Sequence, residues 1–375
     1  MRPLNLLLVK PAGPDCNLDC TYCFYLDRSG NGSSSHPHRM TDDVLEEMIR
    51  QALSGRERHM SFVWQGGEPT LMGLPFFRRV VELQQRYGAG KSVSNALQTN
   101  GLLLDEEWAV FLKQYHFLVG ISIDGPEHVH DYYRRARGGQ GSWSHAVSAA
   151  RLLQARGVEV NAISVVTEYA ACFPDEIYHA HRSLGLDFMQ FIPCVETDPI
   201  DPTKAAAYSV TGDSYGRFLI RLFDLWRADF DGPVARTSIR YFDSVFHAYV
   251  GLDAPECTLM ATCGVYLAVE HNGDVFACDF FVEPGWKLGN LMHGSLRDMI
   301  NAPEQERFGR MKAELPVACR GCSWLRVCQG GCTKDRIRDP RDGGLSHFCN
   351  AYKMFFAHAD RPLRELASTW SSRLR

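Results

Sequence analysis

"PAGPDCNLDCTYCFYLDR", residues 11–28, places Cys16, Cys20 and Cys23 at the spacing C-x3-C-x2-C. What flanks this loop decides the fold. Before it, "LNLLLVK" (4–10) reads as a buried strand. After it, "TDDVLEEMIRQAL" (41–53) opens on a Thr N-cap, has acids in its first turn and carries apolar residues at helical spacing, which predicts a helix. The alternation then repeats. Strands are predicted at 60–65, 92–98, 117–123, 158–166 and 186–192, with helices at 75–87, 105–114, 142–156, 174–184 and 212–228. Six β/α units in a row predict a parallel sheet with helices outside, either doubly wound or curved into a partial barrel. Both architectures put chemistry at the C-terminal ends of the strands. The unusual loops fall there: the cysteines after the first strand, "GGEP" (66–69) after the second, "TNG" (99–101) after the third and "DGP" (124–126) after the fourth.

From about residue 236 the pattern breaks. Cysteines, glycines and short runs dominate, with a hairpin signal in "YLAVEHNGDVFACDF" (266–280), where Asn272-Gly273 separates two alternating runs. Helices are predicted at 295–301 and 346–358. The expected organisation is therefore two domains, 1–235 and 236–375. The polar stretch "RSGNGSSSHPH" (28–38) reads as a mobile loop.

Composition narrows the function. The chain has 375 residues, 45% hydrophobic and 22% charged, with a net charge of −4. Nothing in that balance points to nucleic acid or a membrane surface as partner. No apolar run approaches a transmembrane length, and the one at the N-terminus is too short for a signal peptide. Cytoplasmic localisation is expected, and there the 13 cysteines are not a disulfide framework. Clusters with short gaps read instead as metal or iron–sulfur ligands. Cys172 and Cys194 stand alone and read as small core residues.

Three soft thiolates can hold a 4Fe–4S cluster by three of its irons and leave the fourth open. Spacing alone leaves open a structural zinc loop completed by a ligand such as His36 or His38. Tyr22 inside the loop makes the pattern C-x3-C-x-Φ-C, with Φ aromatic, which resembles the signature of the radical S-adenosylmethionine superfamily. GGEP resembles that superfamily's second motif. The resemblance implies that the open iron binds the methionyl amino and carboxylate groups, and that one electron cleaves the sulfonium to a 5′-deoxyadenosyl radical. Gly66 and Gly67 would let the backbone approach the ammonium, and Glu68 would add negative charge. Ser122 and Arg134 are weaker candidates for contacts to the same cofactor; turn chemistry at 124–126 and a solvated Arg134 are the alternatives.

The second cysteine group runs Cys263, Cys278, Cys319, Cys322, Cys328, Cys332 and Cys349, with Cys257 as an eighth. It resembles the SPASM domain, which holds two auxiliary 4Fe–4S clusters. By that resemblance Cys257, Cys263, Cys278 and Cys332 hold one, and Cys319, Cys322, Cys328 and Cys349 the other. Taken alone, the C-x2-C pairing also fits two zinc ribbons.

Within the SPASM proteins the chain most resembles the anaerobic sulfatase-maturating enzymes, in "WQGGEPTLMGLPFF", "CGVYLAVEHNGDVFACDFFV" and "CQGGC" among other segments. The implied fold is a partial (β/α)6 barrel followed by the auxiliary-cluster domain. The implied activity is oxidation of a Cys or Ser in an unfolded sulfatase chain, or a peptide derived from one, to Cα-formylglycine. Three 4Fe–4S clusters and S-adenosylmethionine would be the cofactors, and a low-potential flavodoxin or ferredoxin the electron donor. Asp279 takes the place of the family's catalytic base, where its alternative is a turn residue. Val195 stands where a bulkier leucine is expected beside the adenine. Two other readings remain: a peptide maturase that forms thioether or carbon–carbon crosslinks, and a non-catalytic zinc module.

Overall fold

The computed structural model describes residues 1–25, 37–232, 234–339, 341 and 343–373. The expected loop at 28–38, including His36, therefore lies almost wholly outside the described residues. The strands, in chain order, are β1 (Leu6–Lys10), β2 (His59–Trp64), β3 (Ser92–Thr99), β4 (Leu118–Ser122), β5 (Glu159–Val166), β6 (Phe188–Pro193), β7 (Phe230–Asp231), β8 (Val234–Ala235), β9 (Ser238–Ile239), β10 (Leu267–Glu270), β11 (Asp274–Phe276) and β12 (Lys287–Asn290). The chain forms two compact units. One comprises Met1–Ser122, Arg134–Val160 and Gly264–Arg310; the other comprises Ile123–Tyr133, Asn161–Cys263 and Met311–Arg375.

In the first unit the strands run in the order β12-β11-β10-β1-β2-β3-β4. β1 to β4 are parallel, in registers such as Leu7 beside Phe62 and Leu97 beside Val119. The expected hairpin is present as β10 and β11, with Gly273 at φ +84 in its turn. The pairing of that hairpin was not expected. β10 lies parallel to β1, with Leu7 beside Leu267 and Lys10 beside Glu270, so a segment some 260 residues downstream extends the sheet of the cysteine loop. Helices cover the sheet as their patterns predict. Helix Asp42–Leu53 starts at Thr41, whose Oγ1 accepts from the Val44 N–H at 3.4 Å, and it buries Leu45, Met48 and Ile49. Asp105 caps helix Glu106–Gln114 in the same way. Their apolar faces close over Leu7, Phe62, Trp64, Phe77, Leu97 and Val269.

In the second unit β5, β6 and β9 are parallel neighbours. Helix Gly212–Ala228 packs with helix Cys349–Arg373 around Tyr215, Phe218, Phe223, Phe242 and Phe355. The last helix runs 15 residues beyond the expected end at 358, through Pro362. Phe355, Ala359 and Leu363 continue its buried stripe across the proline, and that packing outweighs the backbone hydrogen bond the proline removes. Helices Arg240–Tyr249 and Pro303–Ala313 were not expected. The second hides its helical face because two of its fully buried side chains, Gln305 and Lys312, are polar.

Candidate functional site

The cysteine loop begins where β1 ends. Gly13 N–H donates to the Lys10 carbonyl at 3.1 Å and Cys23 N–H to the Cys20 carbonyl at 2.9 Å, so the loop is a succession of tight turns. Asp15 fastens its far side: the carboxylate accepts from His38 N–H and from Arg39 Nη1, and it bonds His38 Nδ1, all at 2.7–2.8 Å. His38 is thus part of the Asp15 network that holds this side of the loop. Cys16 Sγ accepts from the Leu18 N–H at 3.4 Å and from Asn100 Nδ2 at 3.8 Å. Such donors suit a thiolate that carries cluster charge. Burial pushes the Cys16 thiol up to about 11 while no metal is bound, so a cluster must displace a proton to bind.

The GGEP segment is what the loop rests on. Gly67 N–H donates to the Gly13 carbonyl at 2.9 Å, and Glu68 N–H to the Asp15 carbonyl at 2.7 Å. Gly66 adopts φ +121, and a Cβ placed on Gly67 would lie 2.0 Å from the Asp15 oxygen. Both glycines therefore have a local reason: they admit the backbone of the cysteine loop. Gly67→Ala is expected to unseat that loop and to lose about four of twelve irons, one cluster of three. Iron analysis of anaerobically purified protein checks this, and full iron content would contradict it.

Glu68 is buried, and its carboxylate has many partners. Oε1 accepts from the Thr70 N–H, the Thr70 hydroxyl and the Thr99 hydroxyl at 2.5–3.0 Å, and Oε2 from the Asn100 N–H at 2.8 Å. It ties the loop after β2 to the end of β3. Burial pushes its pKa up against these donors. Glu68→Ala would strand several donors, each worth about 1–3 kcal/mol when buried and unsatisfied. A large drop in the thermal midpoint is the expected outcome; an unchanged midpoint would remove Glu68 from this role.

Arg134 is not a solvated charge. It is 9% exposed, its guanidinium lies 5.4 Å from the centre of the Tyr22 ring, and its charge acts on Cys16. Ser122 is buried as the last residue of β4. In the second unit Asp124 ties the loop after β4 to β5, with Oδ1 accepting from the Val165 N–H at 2.8 Å. Val195 is fully buried in that unit's apolar cluster with Val166 and Phe191.

Asp279 lies on the connection from β11 to β12 and belongs to the first unit together with Cys16, Cys20, Cys23, Gly66, Gly67, Glu68, Arg134 and Cys278. It is 8% exposed. Oδ1 accepts from the Tyr266 hydroxyl at 2.6 Å, and Oδ2 from Gln65 Nε2 at 3.0 Å. Its carbonyl accepts from Lys10 Nζ at 3.0 Å. The Lys10 ammonium sits 3.7 Å from the centre of the Tyr25 ring, and the Tyr25 hydroxyl donates to Glu270. A buried carboxylate held at both oxygens, with a cation beside its backbone, is more than a turn residue requires. Sequence reasoning missed Lys10, Gln65 and Tyr266. Lys10 and Gln65 follow the apolar runs of the first two strands directly, which was a usable signal.

The remaining seven site cysteines belong to the second unit. Cys319, Cys322, Cys328 and Cys349 line one small pocket, with Trp324, Leu325 and Tyr352 in its wall. Burial, then the neighbouring Cys349, Cys319 and Cys322 thiols, push the Cys328 thiol up to about 11. Among the described residues no three His, Cys, Asp or Glu side chains converge closely enough for a single metal ion. Four thiols round one pocket are the number a four-iron cluster takes. Cys257, Cys263 and Cys332 form a second group, in which Cys332 lies within electrostatic reach of the other two. Cys278, the fourth by family pattern, is in the first unit, where its sulfur lies 3.1 Å from the Tyr266 hydroxyl.

Comparison with known proteins gives the same picture. Residues 11–170 match the radical SAM superfamily, and residues 262–323 match the SPASM iron–sulfur cluster-binding domain. The chain is 39% identical, over 96% of its length and 97% of the relative's, to a cysteine-type anaerobic sulfatase-maturating enzyme of Clostridium perfringens. It is 35% identical, over 95% of its length and 89% of the relative's, to a serine-type anaerobic sulfatase-maturating enzyme of Bacteroides thetaiotaomicron. The solved structure of native anSMEcpe with bound AdoMet and Cp18Cys peptide superposes with a TM-score of 0.90 at 36% identity, covering 98% of this chain and 99% of that one.

Proposed function

This chain belongs to the anaerobic sulfatase-maturating enzymes of the radical S-adenosylmethionine superfamily, and from that premise we propose that it oxidises a Cys or Ser side chain of a sulfatase polypeptide to Cα-formylglycine, with Asp279 as the base. The observation that carries the reading is Asp279 itself: buried, held at both oxygens, and one residue from Cys278.

Cys16, Cys20 and Cys23 would hold the cluster that takes up S-adenosylmethionine. Gly66, Gly67, Glu68, Tyr22, Ser122 and Arg134, all of the first unit, would surround the cofactor, and Val195 is the residue that the family pattern assigns to the adenine. When bound, these groups supply a 5′-deoxyadenosyl radical that removes hydrogen from the target Cβ and, in an auxiliary cluster, an acceptor for the electron the substrate then gives up. Asp279 takes the thiol or hydroxyl proton as the C=S or C=O bond forms. Tyr266 and Gln65 fix the direction of its carboxylate, and Lys10 fixes its backbone. Water then converts a thioaldehyde to the aldehyde, and the sulfur leaves as hydrogen sulfide.

The substrate is an unfolded sulfatase or a peptide from one, and the reductant a flavodoxin or ferredoxin. The setting is the cytoplasm, where reducing conditions keep the cysteines available. No helix of the described residues is long and apolar enough to cross a membrane. By function we divide the chain into a barrel, 1–235, and an auxiliary-cluster region, 236–375. A peptide deuterated at the target Cβ tests the first step. Deuterium should appear in 5′-deoxyadenosine; its absence during turnover would move hydrogen abstraction to another position.

A further inference from the structure

Lys312 has no part in the reaction just described, yet its side chain is fully buried. Its Nζ donates to the Cys257 carbonyl at 2.6 Å and the Thr258 carbonyl at 2.8 Å. Among the described residues no carboxylate forms an ion pair with it. The charged groups that reach it are the thiols of Cys263, Cys257 and Cys332, the Arg336 guanidinium and, more weakly, Asp335. Arg336 is also buried; its Nη1 donates to the Lys312 carbonyl at 2.9 Å, and its Nη2 has no hydrogen-bond partner among the described residues.

A buried ammonium bonded only to neutral carbonyls is costly unless negative charge lies close by. The three thiols are the ligands assigned above to one auxiliary cluster, and a cluster on four thiolates supplies that charge. Reduction adds one further electron to such a site, so a fixed cation beside it favours the reduced form. We infer that Lys312 is a positioning residue for electron transfer: its charge raises the reduction potential of the cluster that Cys257, Cys263 and Cys332 help to hold. This deepens the reading that an auxiliary cluster accepts the substrate's electron. The electron balance is unchanged: one electron passes from the substrate radical to that cluster, and one proton to Asp279.

The test is a redox titration of the full chain with Cys16, Cys20 and Cys23 all changed to Ala, so that only the auxiliary clusters respond. In that background Lys312→Gln keeps an N–H donor for the two carbonyls and removes the charge, whereas Lys312→Arg keeps the charge. Both should retain about eight irons, two four-iron clusters. In Lys312→Gln one midpoint should fall by about 59 mV or more, a tenfold change in a one-electron equilibrium. The other midpoint should stay, and Lys312→Arg should match the parent. Unmoved midpoints at full iron content would overturn the inference. Loss of iron in Lys312→Gln would overturn it too, since Lys312 would then be holding the cluster rather than tuning it. No peptide enters the titration, so its outcome stands apart from whether formylglycine forms.

Discussion

Cys20→Ala is expected to abolish cleavage of S-adenosylmethionine while leaving both auxiliary clusters in place. Cys20 is the buried middle ligand of a loop whose turn is closed by Cys23 N–H on the Cys20 carbonyl. Alanine preserves that backbone bond and removes only the thiol. Two thiols remain, too few to hold a cluster with an open iron. Iron should fall from about twelve to about eight per chain, in steps of one four-iron cluster. The cysteines at 319–349 lie in the other compact unit and line their own cavity, so their cluster has no reason to follow. 5′-Deoxyadenosine formation and the spectra of the remaining clusters give the readout. Cleavage near the wild-type rate would remove the loop from cofactor binding.

Asp279→Asn is expected to separate radical generation from product formation. Asparagine is nearly isosteric and can still accept from Tyr266 through its amide oxygen. Its amide nitrogen would face the Gln65 amide nitrogen unless that side chain turns over, a small local rearrangement. The lost property is basicity. Formylglycine yield should fall by about 10²- to 10⁴-fold, the range of general-base catalysis. Deuterium from the target Cβ should still reach 5′-deoxyadenosine. Unchanged formylglycine formation would place the base elsewhere.

Much of this could be read in the chain because its signals are local. The β/α series follows from apolar periodicity and from caps such as Thr41, which the structure places where the pattern puts it. The spacing of Cys16, Cys20 and Cys23 is local too, whereas the interleaved grouping of the other eight site cysteines comes from the family resemblance and not from their spacing. What stayed hidden is long-range or polar. Nothing within "YLAVEHNGDVFACDF" says that it adds to β1, because a pairing between Leu7 and Leu267 leaves no local trace. Lys10, Gln305 and Lys312 are buried polar residues, and a pattern that equates polar with exposed passes over them. Arg134 had a solvated alternative for the same reason, and burial over Tyr22 decides against it. Glu68 was read for its charge, and the structure adds a clamp between two strand ends.

The central claim is that this chain makes formylglycine from a cysteine or serine in a sulfatase sequence. The direct measurement is the mass of a C-x-P-x-R peptide and its serine counterpart, each incubated anaerobically with the enzyme, a reductant and S-adenosylmethionine. Turnover of the cysteine peptide should exchange its sulfur for oxygen and remove two hydrogens. Turnover of the serine peptide should remove two hydrogens and leave a product that reacts with hydrazine. A peptide that emerges crosslinked, with all its sulfur and no aldehyde, would contradict the account and identify a crosslinking maturase.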